Sequence, residues 1–180
     1  MPPKPWKTLS SRPVYQNPWT SVREDIAEMP NGKTTVYGVV EGGEAVGVLP
    51  FVDETNVILI RQYRYVFDEN NRWEMPTGGT KAGESLLEAA HRELREETGF
   101  DAEQLDYIDT YYTSKSVMHE IAHLYIGRHL TQLQAMPDET EFLEVGRFPF
   151  NQVLQMVLKS DIRDSMTVIA VLLAARQLGL

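Results

Sequence analysis

Residues 78–100 run GGTKAGESLLEAAHRELREETGF, and no other stretch limits what this chain can become so tightly. A helix advances about 100° per residue, so Glu93, Glu96 and Glu97 fall within roughly a 100° arc and their carboxylates can converge on one point. Like charges that close repel by an amount on the order of a kcal/mol near water, and by more when partly buried, so a cation is expected between them. The same wheel places Leu86, Leu87, Ala90 and Leu94 in an apolar stripe directed at the core, with Glu97 at its margin and Glu93 beside it. The pattern predicts a helix from about Glu84 to Thr98, closed by Gly99 in the left-handed conformation that ends helices.

Oxygen ligands alone suit a hard divalent cation, Mg²⁺ first and Mn²⁺ second, and a chain with no cysteine offers no thiolate site. Mg²⁺ keeps several waters and is usually completed by substrate phosphates, which points to phosphoryl chemistry. Ahead of the helix, Thr77-Gly78-Gly79-Thr80-Lys81-Ala82-Gly83 supplies glycines that let backbone approach a metal or a phosphate closely.

Gly78, Glu84, Arg92-Glu93-Leu94, Glu96-Glu97 and Gly99-Phe100, at these spacings, resemble the complete signature of the Nudix hydrolases, with no departure at a defining position. The resemblance implies an α/β fold, the Nudix-type α/β/α sandwich with a mixed sheet, here with an N-terminal β-hairpin extension. It also implies metal-dependent hydrolysis of a nucleoside diphosphate linked to another group. Carried over by position, Glu93, Glu96 and Glu97 resemble the metal-binding glutamates, Arg92 the residue that orients them, and Glu84 a supporting carboxylate.

Outside the signature, Arg61-Gln62-Tyr63-Arg64 and Trp73-Glu74-Met75-Pro76-Thr77-Gly78-Gly79 resemble the ADP-ribose pyrophosphatase branch. On that comparison Arg64 contacts the diphosphate, which suits a guanidinium able to grip phosphate through two N–H groups. Glu74 and the carbonyl of Thr77 match further contributors to the metal and phosphate site, with Thr77 standing where the branch usually has alanine. Trp19 and Tyr37 match the aromatic pair that clasps the adenine, in a site to which both subunits of a dimer contribute. Glu141 best matches a late loop glutamate close to the attacked phosphorus, with Glu139 and Glu144 as rivals, and Glu120 falls where the branch often keeps a glutamate. Either Glu93 or Glu141 is then the general base. Lys115 replaces the branch's usual proline, and either attracts a further phosphate or is a solvated loop lysine. His119 and His123 are expected to be packed or surface histidines.

The expected activity is hydrolysis of ADP-ribose to AMP and ribose 5-phosphate. GDP-mannose-like nucleotide sugars, dinucleoside polyphosphates and nucleoside triphosphates are the alternative substrates. A non-catalytic nucleotide-binding module would be expected to have lost a signature acid, and an isomerase on this fold would commonly use cysteine.

One hundred and eighty residues with 42% apolar content form one domain, with residues 1–45 as N-terminal strands and possible dimerisation element and 46–180 as catalytic core. A net charge of -9 without a basic run makes long nucleic acid and anionic membrane poor partners. The absence of cysteine and of an apolar leader makes a cytoplasmic location the expectation. Strands are predicted at Trp19–Ile26 and Lys33–Val40 around the turn Pro30-Asn31-Gly32, then at Val46–Val52, Asn56–Tyr65, Arg72–Met75, Leu105–Thr113, Glu120–Gly127 and Phe142–Phe148. Val57-Ile58-Leu59-Ile60, apolar on both faces, is expected in a central strand. Helices are predicted at Asn151–Leu158 and, after the cap Asp164, at Ser165–Leu178.

Overall fold

Alternating apolar positions pull the strands of this protein into sheets whose faces are then covered by helices. A computed structural model describes residues 5–69, 72–133 and 142–180. In chain order its elements are β1 (Lys7–Gln16), β2 (Ser21–Glu28), β3 (Thr34–Pro50), β4 (Asn56–Arg61), a single 3₁₀ turn (Tyr65–Phe67), β5 (Trp73–Glu74), β6 (Thr77–Gly79), α1 (Leu86–Thr98), β7 (Phe100–Tyr112), β8 (Met118–Gln132), β9 (Glu144–Pro149), α2 (Phe150–Leu158) and α3 (Ser165–Leu178). They form two units, one made of the residues up to Gly43 with Tyr112–Ile121, the other of Glu44–Tyr111 with Ala122–Leu180.

The second unit carries the signature. From Glu44 onward, β3 sends alternate residues to opposite faces, as a strand must. Leu49 and Phe51 join Phe150 and Val153 of α2 and Ala170 and Ala174 of α3 in one apolar cluster. Val46 and Val48 pack with Ala89, Ala90 and Leu94 of α1 in another. β8 divides in the same way, with Ala122, Leu124 and Ile126 on the first side and Tyr125 on the second. A sheet covered on both faces explains why these strands are nearly continuous apolar runs, and it is the layered helix–sheet–helix arrangement expected. Each Leu, Ile or Val buried completely at these positions stabilises the fold by roughly 1.5–3 kcal/mol.

β4 lies between β5 and β9 in a three-stranded sheet, paired antiparallel with both. Its Val57-Ile58-Leu59-Ile60 run is buried throughout, in the central position that its composition predicts. In the first unit β1, β2 and the start of β3 are antiparallel, with β2 and β3 in register from Ser21↔Glu41 to Glu28↔Thr34. Gly32, at φ 80°, takes the left-handed position that the turn needs, and the Met29 N–H donates to the Lys33 carbonyl (2.8 Å) to close it.

Four expectations about the elements need correction. Lys33–Val40 and Val46–Val52 belong to one strand, which runs on through Gly42 and Gly43, with Gly43 taking a left-handed φ of 73° inside it. The fourth predicted strand stops at Arg61, and Arg64 N–H donates to the Glu69 carbonyl (2.6 Å) to fold the following residues into the 3₁₀ turn. β1, unpredicted, is added to β2 although all ten of its residues are exposed. Leu87 is 49% exposed instead of lying in the core stripe, since it falls in the first turn of α1 and about 80° from the centre of the buried arc. Among the described residues, no helix is long and apolar enough to cross a membrane.

The start of α1 is set by a reciprocal cap. Ser85 Oγ accepts from the Glu88 N–H (3.3 Å) while the Glu88 carboxylate accepts from the Ser85 N–H (2.9 Å), so two otherwise orphaned donors are satisfied. This places the helix start at Leu86 and leaves Glu84 in the loop. Removing the hydroxyl in Ser85→Ala is expected to lower stability by about 1 kcal/mol, read as a reduced urea midpoint at unchanged slope.

Candidate active site

Helix α1 brings its acids to the glycine loop because its apolar face, through Ala89, Ala90 and Leu94, is fully buried against the sheet. Glu93 (8% exposed) and Glu97 (2% exposed) are carried inward with that face. The cation at their centre is Arg92. Its Nε donates to Glu84 Oε1 (2.7 Å), one terminal nitrogen donates to Glu93 Oε1 (2.6 Å) and Glu96 Oε2 (3.0 Å), and the other donates to Glu84 Oε2 (2.9 Å) and the Gly79 carbonyl (2.9 Å). These bonds, Glu84's first, hold the guanidinium pKa well above its ordinary value. Lys81 Nζ stands 3.8 Å from Glu96 Oε1. Glu97 turns elsewhere and accepts the Thr77 N–H (2.8 Å).

Glu84, Glu93, Glu96 and Glu97 against Arg92 and Lys81 leave a formal charge of -2, the complement of one divalent ion. All the side-chain donors are hard carboxylate oxygens, which fits Mg²⁺ or Mn²⁺. Among the described residues, no three acidic or histidine side chains already stand in an ion-holding group, since Arg92 draws Glu93 and Glu96 to itself. Space is as tight as charge is concentrated. A Cβ on Gly78 would overlap the carboxylate of Glu93, so only glycine lets that acid lie against the loop.

A second pair adjoins this group in sequence. Arg64 donates to both oxygens of Glu74, through Nη2 to Oε1 (2.5 Å) and Nε to Oε2 (3.2 Å), and Gln62 Nε2 adds a long contact to Oε1 (3.4 Å). Glu74 is 7% exposed, and burial raises its pKa in spite of Arg64. Desolvation therefore outweighs the ion pair here. The Met75 N–H donates to Thr167 Oγ1 (2.9 Å) on α3, which pins the strand that carries Glu74. Thr167 was not singled out in the sequence; its signal is a hydroxyl residue on an otherwise apolar helix face.

Of the remaining predicted site residues, Trp19, Tyr37 and Glu120 belong to the chain's first unit, and Glu141 falls outside the described residues. Trp19 is 87% exposed beside an Asn17 turn. Tyr37 packs edge-on against Trp6, with ring centres 6.2 Å apart, and its hydroxyl donates to the Ser116 carbonyl (2.5 Å). Trp6 thus joins the aromatic set, a residue that the sequence pattern did not mark. Glu120 is half-buried where a Cβ on Gly42 would meet it. Lys115 is exposed, and His119 Nδ1 meets Glu41 Oε2 (2.9 Å). Glu139 and Glu141 fall outside the described residues, whereas Glu144 is on β9 and pairs with Arg61. In the second unit His123 is buried, its Nδ1 3.4 Å from the Tyr107 hydroxyl.

Comparison with known proteins bears directly on this geometry. The NUDIX domain family matches residues 42–168, and the family described as nucleoside diphosphate sugar hydrolase N-terminal domain matches residues 6–40. The chain belongs to the Nudix family. This Nudix hydrolase is 33% identical over 167 residues to the methanol dehydrogenase activator of Bacillus methanolicus, covering 92% of this chain and 90% of that protein. It is 32% identical over 167 residues to the ADP-ribose pyrophosphatase of Bacillus subtilis (strain 168), again over 92% and 90%. A solved structure of an ADP compounds hydrolase superposes with a TM-score of 0.87 at 26% identity, covering 99% of this chain and 97% of that one. The protein is accordingly a Nudix pyrophosphohydrolase with a small nucleotide substrate, and enzymes of this family generally need a divalent metal.

Two measurements test the site's construction. In Gly78→Ala the atoms nearest the new Cβ all belong to the end of the Glu93 side chain, so stability is expected to fall by about 1–3 kcal/mol and turnover at least tenfold as the carboxylate is pushed aside from Arg92. Glu84, hydrogen-bonded chiefly by Arg92, has its pKa lowered from 4.5 to about 2. A depressed carboxylate stabilises the fold fully above its ordinary pKa and loses that contribution as pH falls through the folded value. The stability difference between wild type and Glu84→Gln, from urea unfolding, is therefore expected to be constant at neutral pH and to close between about pH 4.5 and about pH 2.

Proposed function

We propose that this Nudix hydrolase cleaves ADP-ribose to AMP and ribose 5-phosphate, in the cytoplasm and as a homodimer, with Mg²⁺ as its metal and Mn²⁺ as the second choice. The observation that carries the reading is that likeness to an ADP-ribose pyrophosphatase and to an ADP compounds hydrolase extends over nearly the whole chain rather than the signature alone. Residues 1–45 are the N-terminal strands and dimerisation element of one Nudix domain, and 46–180 its catalytic core. Support for the dimer comes from β1, which leaves Leu9, Val14 and Tyr15 roughly half exposed, and from Trp6 just ahead of it, exposed to the same degree.

Glu93, Glu96, Glu97 and the Thr77 carbonyl would hold the metal. When bound, the ion supplies charge neutralisation on the diphosphate and acidification of a water. The chain's own residues do the rest. Arg64 offers two N–H groups to phosphate oxygens and stabilises the charge that grows there. Arg92, through Glu93 and Glu96, fixes the orientation of the acids. Glu93 or Glu141 accepts the proton of the attacking water, while Trp19 and Tyr37 stack on the adenine and Glu74 and Glu120 complete the substrate contacts.

The test is a panel of ADP-ribose, nucleotide sugars, dinucleoside polyphosphates and nucleoside triphosphates with Mg²⁺, read by product mass. ADP-ribose is expected to give the highest kcat/KM, EDTA to abolish turnover, and Glu97→Gln to lower kcat by about 100-fold or more with the unfolding midpoint retained. Near-normal turnover in that variant would remove Glu97 from the metal site.

A further inference from the structure

Thr167 is completely buried on α3, and no step of the proposed reaction uses it. A helix packed on a core has no need of a hydroxyl, and a buried polar group lowers stability unless its hydrogen bonds are made. Here Oγ1 makes two, donating to Asp164 Oδ2 (2.6 Å) and accepting the Met75 N–H (2.9 Å). The Thr167 N–H donates to the same carboxylate oxygen (2.7 Å), so one Asp164 side chain both caps α3 and fixes which way the hydroxyl points. With its proton committed to Asp164, Oγ1 presents lone pairs alone to Met75.

Met75 follows a strand that needs such a fixed point. β5 has two residues, Trp73 and Glu74, and pairs with β4 at the edge of its sheet. Pro76 comes next and has no N–H, so the Met75 amide is the one backbone donor between Glu74 and Thr77. Its acceptor is a helix side chain instead of a neighbouring strand. The Thr77 end of the segment is tied separately, since the Val48 N–H donates to the Pro76 carbonyl (3.1 Å) and the Thr77 N–H to Glu97 Oε2 (2.8 Å). The bond to Thr167 therefore bears chiefly on Glu74, whose carboxylate takes Nε and Nη2 of Arg64. With that edge of the guanidinium held, Nη1 and the second hydrogen of Nη2 are the donors left for phosphate.

We propose that Thr167, oriented by Asp164, is a positioning residue for the reaction: through the Met75 amide it sets Glu74, and through Glu74 the edge of Arg64 that meets the diphosphate. The inference rests on the assignment of Arg64 to the diphosphate made above. Thr167 itself touches no substrate. Removing its oxygen leaves a buried N–H without an acceptor, and the strand then shifts to find another. A misplacement of about 1 Å at a group aligned on the reacting atoms can lower the rate by about 100-fold.

Thr167→Val keeps the shape of the side chain and removes the oxygen, whereas Thr167→Ser keeps the oxygen. For the best-cleaved compound of the substrate panel, kcat/KM is expected to fall at least tenfold in Thr167→Val and to stay within about threefold of wild type in Thr167→Ser. Arg64→Gln is expected to lose at least as much as Thr167→Val, and combining the two to lose no more than Arg64→Gln alone, whereas independent effects would multiply. Equilibrium dialysis of the same compound in EDTA, which needs no turnover, is expected to give the same pattern in Kd. The half-saturating Mg²⁺ concentration is expected to stay within about twofold of wild type in Thr167→Val, because the Thr77 end has its own ties; a generally loosened site would raise it. Multiplying losses, a Thr167→Val enzyme as active as wild type, or a serine variant as impaired as the valine one would overturn the proposal. If Thr167→Val does not fold, Asp164→Ala takes its place in the cycle, with an expected loss of at least threefold that again vanishes beside Arg64→Gln, and a loss that multiplies would count against the proposal in the same way. Near-normal kcat/KM in Arg64→Gln is a separate outcome: it removes Arg64 from the diphosphate and takes this inference with it.

Discussion

Concentrated negative charge on a buried helix face is the constraint to which the rest of this protein answers. Glu93 and Glu97 are drawn inward with the apolar side of α1, where unpaired carboxylates would cost several kcal/mol. A single guanidinium meets most of that demand, reaching Glu84, Glu93, Glu96 and the Gly79 carbonyl at once. It can do so only because Ser85 starts the helix where it does, leaving Glu84 in the loop to face Arg92 across a turn. The network still carries excess negative charge, and so has an electrostatic reason to take up a metal.

The same balance of desolvation against pairing comes out differently at Glu74. There one arginine and a distant amide share a carboxylate that is nearly inaccessible, and burial governs its proton affinity. At Glu84, less buried and gripped by two N–H groups of Arg92, pairing governs. Two glutamates within eleven positions are thus pushed in opposite directions by their surroundings, a recurrent arrangement where acids have distinct duties.

How much could be foreseen depended on how local the cause was. The helix α1, the cap Asp164, the closing Gly99 and the turn at Gly32 were all legible because each is decided by residues a few positions apart. The central place of Val57–Ile60 was legible because burial on both faces leaves a continuous apolar run. The unbroken course of β3 was not, since the glycines at 42 and 43 have the composition of a turn, and Gly43 even takes a left-handed φ of 73°, while the strand on either side is kept by pairing with distant strands. Nor was β1, whose exposed residues carry no alternation to read. At the site, the acids and Arg64 could be picked out singly, but the Arg64–Glu74 pair and the Thr167 anchor depend on chain segments brought together by folding. Glu141 lies outside the described residues, and its place near the phosphorus stays an expectation from resemblance.

Two glycines of the loop before α1 answer to different rules. Gly83 sits at φ 81° with open space where a side chain would project, so its requirement is one of backbone conformation, which asparagine meets better than any other side chain. Gly78 has no such dihedral demand, but any side chain there occupies the volume of the Glu93 carboxylate. In a library of substitutions Gly83→Asn should survive where Gly78→Asn does not, although the two positions are indistinguishable by residue type.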